Sequence, residues 1–420
     1  MIAYLKKRSR SLFLLFALIG PGIIAAAVGN DAGGITTYSV AGAHFGYSML
    51  WVMIPITFLL VTIQEMCSRM GVVTKKGLAD LIRESYGARV TFYMLISLVI
   101  ANIATIMSEF AGVASSMEIF GIPRYVSVPV GGVIVWFVIT RWNYRSAEKV
   151  FLLGALLYLA YIVSGFLARP DWSAVAVSLV NPAIEWTHTY VLTLVGIIGT
   201  TITPWMQFYL QASVVEKGLN IEDYKYTKLD VGIGAVVASI VAFFIMVAAA
   251  ATLFPAGIQI ETATDAALAL GPLAGNSAEM LFALGLLNAS LLGAMIVPLA
   301  TSYYICEGLG FEAGVDKYFK EAPWFYGIFT ILLILGAIPA LFPKTPLIDI
   351  MIVAQVINGV LLAPVLIFIV LLINKKWLMG EHTNKRGYNI IVWITVILLI
   401  LLSTFLIATT LVPSLSEKIF

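Results

Sequence analysis

Charge is scarce in this 420-residue chain. Asp, Glu, Lys and Arg together make up 11% of it, where soluble domains carry about a quarter. Cysteine is almost missing. Cys67 and Cys306 are the two present, both at or within apolar runs, which excludes a disulfide framework and any cysteine-based zinc spacing. Three histidines, His44, His188 and His382, lie away from the middle of any apolar run, so a histidine-built metal or proton site at membrane depth is not expected. No nucleophile–base set and no cofactor motif occurs, and an enzyme is not expected. Nothing points to a nucleic-acid partner.

Apolar residues fill the space that charge leaves, at 60% of the chain. Apolar runs of about 20 residues read as membrane helices. The sequence predicts eleven: roughly 11–43, 46–70, 90–118, 125–140, 149–167, 189–217, 229–253, 279–306, 323–342, 347–374 and 388–412. The first run continues past any cleavage-site pattern, so no removable signal peptide is expected. All Lys and Arg except Arg124, Arg169, Lys344 and Lys418 fall in alternate loops on one side. Basic residues near helix ends resist translocation. The N-terminus is therefore expected in the cytoplasm and the C-terminus outside. The longest loops, about 168–188 and 254–278, fall on the outer side. The chain is expected to be a single transmembrane domain over 1–420.

Two spans contain helix breakers. The first holds "GPGIIAAAVGNDAGG", with Asp31 among glycines. The second holds "GTTITPWMQ", where Pro204 removes a backbone donor and disfavours helix in the residue before it. These are spans one and six. A five-helix repeat inverts its copy, and broken helices at matching positions of inverted repeats mark a midplane site. Repeats at about 11–167 and 189–374 follow, with an additional helix at about 388–412. The fold class expected is an all-α polytopic membrane protein of eleven spans, with helices 1 and 6 broken.

A carboxylate at membrane depth costs a few kcal/mol and ordinarily faces a cavity or a partner. Asp31 is therefore the first candidate ion ligand. It is also a good helix N-cap, so a local structural role stands beside the functional one. Asn30 adjoins it on the ion path. Unwound backbone in a membrane must line a cavity or lie buried in protein. Gly33 and Gly34 free carbonyls at the first break, and Thr200, Thr201 and Thr203 bring hydroxyls and carbonyls at the second. One carboxylate with carbonyls, hydroxyls and water is a hard-oxygen set, suited to magnesium, calcium or manganese. Glu109 is either a second acid at the site or a hydrogen-bonded core acid. Gln207, Gln211 and Gln355 are candidates for lining the path. Trp205 either walls the site or packs. Asn102 and Asn358 read as interhelical hydrogen bonds, and Glu65 with Arg69 as an i,i+4 ion pair.

Those residues, with "GYSMLWVMIPITFLLVTIQEMCSRMGVVTKKGLADLIRESYG" across helices 2 and 3, resemble the NRAMP divalent-metal transporters, which have a LeuT-type fold. The resemblance implies Asp31, Gly34, Thr200 (by its carbonyl) and Thr203 as metal-site positions. The chain departs from the family where ligand chemistry is decided. The helix 1 motif Asp-Pro-Gly-Asn reads Asp31-Ala32-Gly33-Gly34, and the helix 6 motif Met-Pro-His reads Thr203-Pro204-Trp205. Of an acidic pair in helix 3, Glu109 remains and Gly112 replaces the other. Helix 9 lacks the family's arginines. Loss of the thioether removes the soft ligand, and small groups at 34 and 203 are expected to leave room for an ion that keeps its waters, as magnesium does. This pattern is similar to the Nramp-related magnesium transporter branch. It implies uncoupled transport of hydrated magnesium or manganese as substrate, with no cofactor, by a monomer in a bilayer, expected to be a bacterial inner membrane. The alternatives are a proton-coupled manganese or iron carrier and an amino-acid symporter of the same fold.

Overall fold

The computed structural model describes residues 28–141, 155–315 and 317–411. The expected first half of helix 1, most of the 141–154 connection and the extreme C-terminus lie outside the described residues. The described chain is helical throughout, with no strand among the described residues. The second half of helix 1 is α1 (Ala32–Phe45). It is followed by α2 (Met53–Thr74), α3 (Leu78–Ile119) and α4 (Arg124–Thr140). Helix α3 merges a short entry helix with a span across Gly87, whose φ of 83° only glycine adopts without strain. The described part of helix 5 is α5 (Leu159–Leu167), and α6 (Trp172–Val180) lies in the outer loop that follows.

The sixth span is two helices, α7 (His188–Thr201) and α8 (Pro204–Glu216). Then come α9 (Tyr224–Ala256), α10 (Ala278–Leu309), α11 (Pro323–Leu341), α12 (Leu347–Ile373) and α13 (Arg386–Leu411). Eight helical stretches are long and apolar enough to cross a membrane. Shorter apolar helices at Arg124–Thr140 and Leu156–Leu167, and α1, fall at the remaining expected spans. The two longest loops are partly helical: Asp171 caps α6 through Ser173 and Ala174, and Thr262 with Asp265 forms a capping box in the 254–278 connection. Short polar caps at loop starts make local helix cheap even where apolar periodicity is too brief to show it.

The helices sort into two groups. Helix α9 packs on α1 and α2, α8 packs on α2, and α3 packs along α10, α11 and α12. The interior is buried and apolar. The outer faces of α3, α4, α11 and α13 present large exposed apolar side chains, among them Phe92, Ile100, Phe137, Ile331 and Leu401. A solvated surface would not carry such a belt, whereas a hydrocarbon surround accepts it. The chain is an integral membrane protein.

One contact sets the position of the site. The backbones of α7 and α12 touch at Gly199 and Gly359. A Cβ on Gly199 would collide with the Gln355 carbonyl and the Gly359 backbone, and one on Gly359 with Val195. Small residues allow that approach. It carries Gln355 to the end of α7, where the sixth span breaks.

Candidate ion site at the two helix breaks

Both breaks form as the sequence predicts. Residues 29–31 are non-helical, and Asp31 (φ −69°, ψ −173°) caps α1, its Oδ1 accepting from the Gly34 N–H at 2.7 Å. The capping role open to Asp31 in the sequence is therefore real, and it is filled by one carboxylate oxygen. At the second break α7 ends at Thr201. Thr203 is extended (φ −68°, ψ 141°), and Pro204 opens α8 at its first position, where a missing N–H costs nothing.

The two breaks meet at Gly34. The point where a Cβ of residue 34 would sit lies 2.8 Å from the Gly29 carbonyl oxygen, 3.0 Å from Thr200 Oγ1 and 3.4 Å from Asp31 Oδ1. One oxygen from the first break, one carboxylate and one hydroxyl from the second thus converge on a spot that no side chain fills. A Cβ at residue 34 would come within 2.8 Å of the Gly29 carbonyl oxygen, so an asparagine does not fit this arrangement.

Several polar groups here lack partners. Thr200 Oγ1, Thr203 Oγ1, Ser108 Oγ and both carboxyl oxygens of Glu109 are buried with no well-formed hydrogen bond. Buried polar atoms are ordinarily satisfied, so such a cluster marks a place where something binds. The Glu109 carboxyl is directed at the Asp31 carboxyl and the Ala32 N–H and lies against Gly293 of α10. Two carboxylates this close repel unless a cation or a proton lies between them. Gln355 Nε2 stands 3.5 Å from Asp31 Oδ1 and packs over Gly33. Its amide oxygen accepts from Asn358, which also donates to Thr105 Oγ1 at 2.8 Å.

The remaining expected site residues spread outward. Asn30 donates to the Ala238 carbonyl of α9. Gln207 lies one turn below Thr203, its amide facing the Thr203 carbonyl at 3.5 Å and its oxygen facing Cys67. Gln211 is not at the breaks. It donates to the Lys76 carbonyl at the far end of α2. Trp205 is fully buried against Tyr209, with its indole N–H unpartnered. Asn102 donates to Thr301 and Tyr304, and Arg69 pairs with Glu65, as the sequence suggests. Gly112 backs onto Ala32 and Ser290 so closely that a side chain there would collide, which explains why a second acid is absent.

Sequence reasoning missed the Gly29 carbonyl, Ser108, and the bond between Tyr38 Oη and Thr201 Oγ1 at 2.7 Å that ties α1 to α7. A lone hydroxyl in an apolar helix carries no signal of what it faces. Soft donors are occupied elsewhere: Met206 Sδ accepts from Gln64 and Met351 Sδ from Thr36. Among the described residues, no group of three or more His, Cys, Asp or Glu could hold a metal ion. Whatever binds at Asp31 is held mostly by neutral oxygens.

Helix breaks meeting beside the buried acids Asp31 and Glu109, among helices long and apolar enough to span a membrane, define a membrane carrier of the LeuT type and not an enzyme. The chain belongs to the Nramp family: residues 22–409 match the family described as natural resistance-associated macrophage protein-like. It is 31% identical to a protein of Erwinia tasmaniensis named divalent metal cation transporter MntH, over 68% of this chain and 71% of that one. It is 26% identical to the Deinococcus radiodurans protein of the same name, over 94% and 90%. Its fold is similar to that of the Eremococcus coleocola manganese transporter, with a TM-score of 0.80 at 22% identity, covering 96% of this chain and 91% of that one. It is more distantly similar to Mhp1, a nucleobase-cation-symport-1 family transporter, with a TM-score of 0.52 at 14% identity over 95% and 92%.

Proposed function

We propose that this protein carries hydrated divalent cations, magnesium and manganese, across the membrane by alternating access, without coupling to protons. The observation that carries the reading is the gathering of the Gly29 carbonyl, Asp31 Oδ1 and Thr200 Oγ1 around Gly34 at the junction of the two breaks. It is an all-oxygen set with one charge, and the unpartnered Thr203 hydroxyl is at hand from the same break. Hard oxygen donors suit magnesium and manganese, and magnesium gives up its waters reluctantly. Asp31 anchors the ion, Thr200 and Thr203 supply oxygens, and the absence of a side chain at Gly34 lets the oxygens approach. Asn30, Gln207 and Gln355 line the way, Trp205 walls it, and Gln211 stands at its end. Within one transmembrane domain built of two repeats, about 11–167 and 189–374, a bundle of helices 1, 2, 6 and 7 moves against the rest as a scaffold. The N-terminus lies in the cytoplasm, the C-terminus outside, and a monomer in a bacterial inner membrane suffices.

One observation favours a second reading. The Glu109 carboxyl directed at Asp31 is placed to hold a proton when the ion leaves, as a proton-coupled manganese carrier requires. Proteoliposomes loaded with a magnesium indicator and a pH indicator separate the two. Magnesium influx without lumenal acidification, abolished by Asp31→Ala, is the expected result. Acidification that tracks manganese entry, with no magnesium entry, would establish the coupled reading.

A further inference from the structure

Beside the ion site, on the side of α9, lies a small enclosed cavity that neither break accounts for. It is lined by Gly29, Asn30, Tyr38, Thr201, Met206 and Ser239, with Leu60 and Ala238 completing the wall, and offers about 10 Å³ to water centres. That is room for about one water molecule. Ser239 is 6% exposed, and its hydroxyl has no partner.

The hydrogen-bond inventory of the walls fixes what fits. The Thr201 hydroxyl donates to the Ile197 carbonyl at 2.7 Å. Its single proton is thereby committed, so Tyr38 must be the donor in the 2.7 Å Tyr38–Thr201 pair. The Tyr38 oxygen is left with acceptor capacity only. Asn30 donates one amide N–H to the Ala238 carbonyl, which leaves its second N–H and its carbonyl oxygen. Met206 Sδ is a weak acceptor already engaged by Gln64. Ser239 and Asn30 can each still both donate and accept. The walls thus offer donors and acceptors together, which a water molecule matches. A water molecule that donates to Tyr38 and Asn30 and accepts from Ser239 gives the Ser239 hydroxyl its partner.

We propose that this cavity is a hydration station of the ion path, holding a water of the cation's own shell, with Ser239 and Tyr38 as positioning residues. The inference rests on the hydrated-cation reading above. Gly29 connects the two places, because it lines the cavity while its carbonyl points at the ion site. A cation at Asp31 keeps a water on that side instead of shedding it, and α9 senses the ion through that water. Residues that never touch the ion thereby help set which ion is carried: a cation that dehydrates reluctantly needs the station, and one that dehydrates readily does not.

Ser239→Ala and Tyr38→Phe each delete one oxygen with almost no change of shape. In proteoliposomes, each is expected to raise the KM for magnesium about tenfold, the effect of one lost hydrogen bond, and the KM for manganese by less than about twofold. Manganese uptake also reports that the variants fold. If magnesium and manganese uptake fall together, the residues serve structure and the proposal is overturned; it is equally overturned if neither changes. Uptake of both ions that depends on a sodium or potassium gradient, lost alike in both variants, would assign the cavity to a co-transported monovalent cation and overturn it too. A wild-type protein that carries manganese and no magnesium overturns the proposed function itself, and the station with it. A wild type that carries magnesium, with variants that do not discriminate, overturns the station alone.

Discussion

Asp31 holds two positions at once. Its Oδ1 caps α1 through the Gly34 N–H and also stands among the oxygens gathered around Gly34. The two roles separate on substitution. Asparagine is as good an N-cap as aspartate, and alanine is a poor one. Asp31→Asn should keep the thermal stability of the protein and lose ion affinity by at least about tenfold, since a charged ligand becomes neutral. Asp31→Ala should lose affinity as well and give up about 1 kcal/mol of stability with the cap. Calorimetric titration with manganese, alongside thermal unfolding in detergent, reads both. Equal unfolding temperatures for the two variants would show that the cap contributes nothing.

At this scale the sequence is legible where a residue is expensive. Asp31 and Pro204 announce themselves because charge and a missing donor are costly in a membrane helix. Thr200 and Thr201, side by side, cannot be told apart in the sequence. Only the fold shows that Thr201 is committed to Ile197 and Tyr38 while Thr200 faces the ion site unpartnered. Gly34 is harder to read. A missing side chain reads as space in a sequence, but a Cβ there would come within 2.8 Å of the Gly29 carbonyl oxygen.

Among the elements, the sixth span divides its allegiance. Its second half, α8, packs on α2 within the group that holds α1 and α9, while its first half, α7, lies against α12. The moving bundle of helices 1, 2, 6 and 7 proposed above is therefore tied to α2 through α8 and to α12 through α7. The Gly199–Gly359 contact is the cause. Nothing in the apolar pattern of either helix announces it, since glycines are frequent in membrane helices for many reasons. Gly359→Leu should force α7 and α12 apart, cost about 1–3 kcal/mol as an overpacked contact, and move Gln355 away from Asp31, so that ion affinity falls along with the unfolding temperature. A stable variant with unchanged affinity would show that the contact does not position the site.

For the molecule as a whole, the clearest clasp lies at the end of α2 distant from the breaks. Arg69 pairs with Glu65 at 3.2 Å and donates to the backbone carbonyl of His382 at 3.0 Å and to the Asn384 side chain. Tyr224, at the start of α9, donates to the same Glu65. The 382–384 segment is thus joined to α2 through one guanidinium, whose rigid fork suits it to several acceptors at once, and α9 is tied to the same clasp through Glu65. Arg69→Ala should loosen that end. A cysteine introduced by Gln211→Cys, next to the Lys76 carbonyl, should then react with a membrane-impermeant thiol reagent several times faster than in the presence of Arg69. Labelling at an unchanged rate would mean that the clasp does not hold the two groups together. The architecture of this carrier is largely readable from spans, breaks and basic loops. The clasp is not, because its partners lie more than three hundred residues apart in the chain.

The cap on α1 has one more consequence. The acceptor that would receive the ion is the acceptor that keeps the first turn of a helix wound, so occupancy and winding draw on the same atom. A cation bound there as proposed would share that oxygen with the Gly34 N–H, so the start of α1 would feel its arrival and its departure directly.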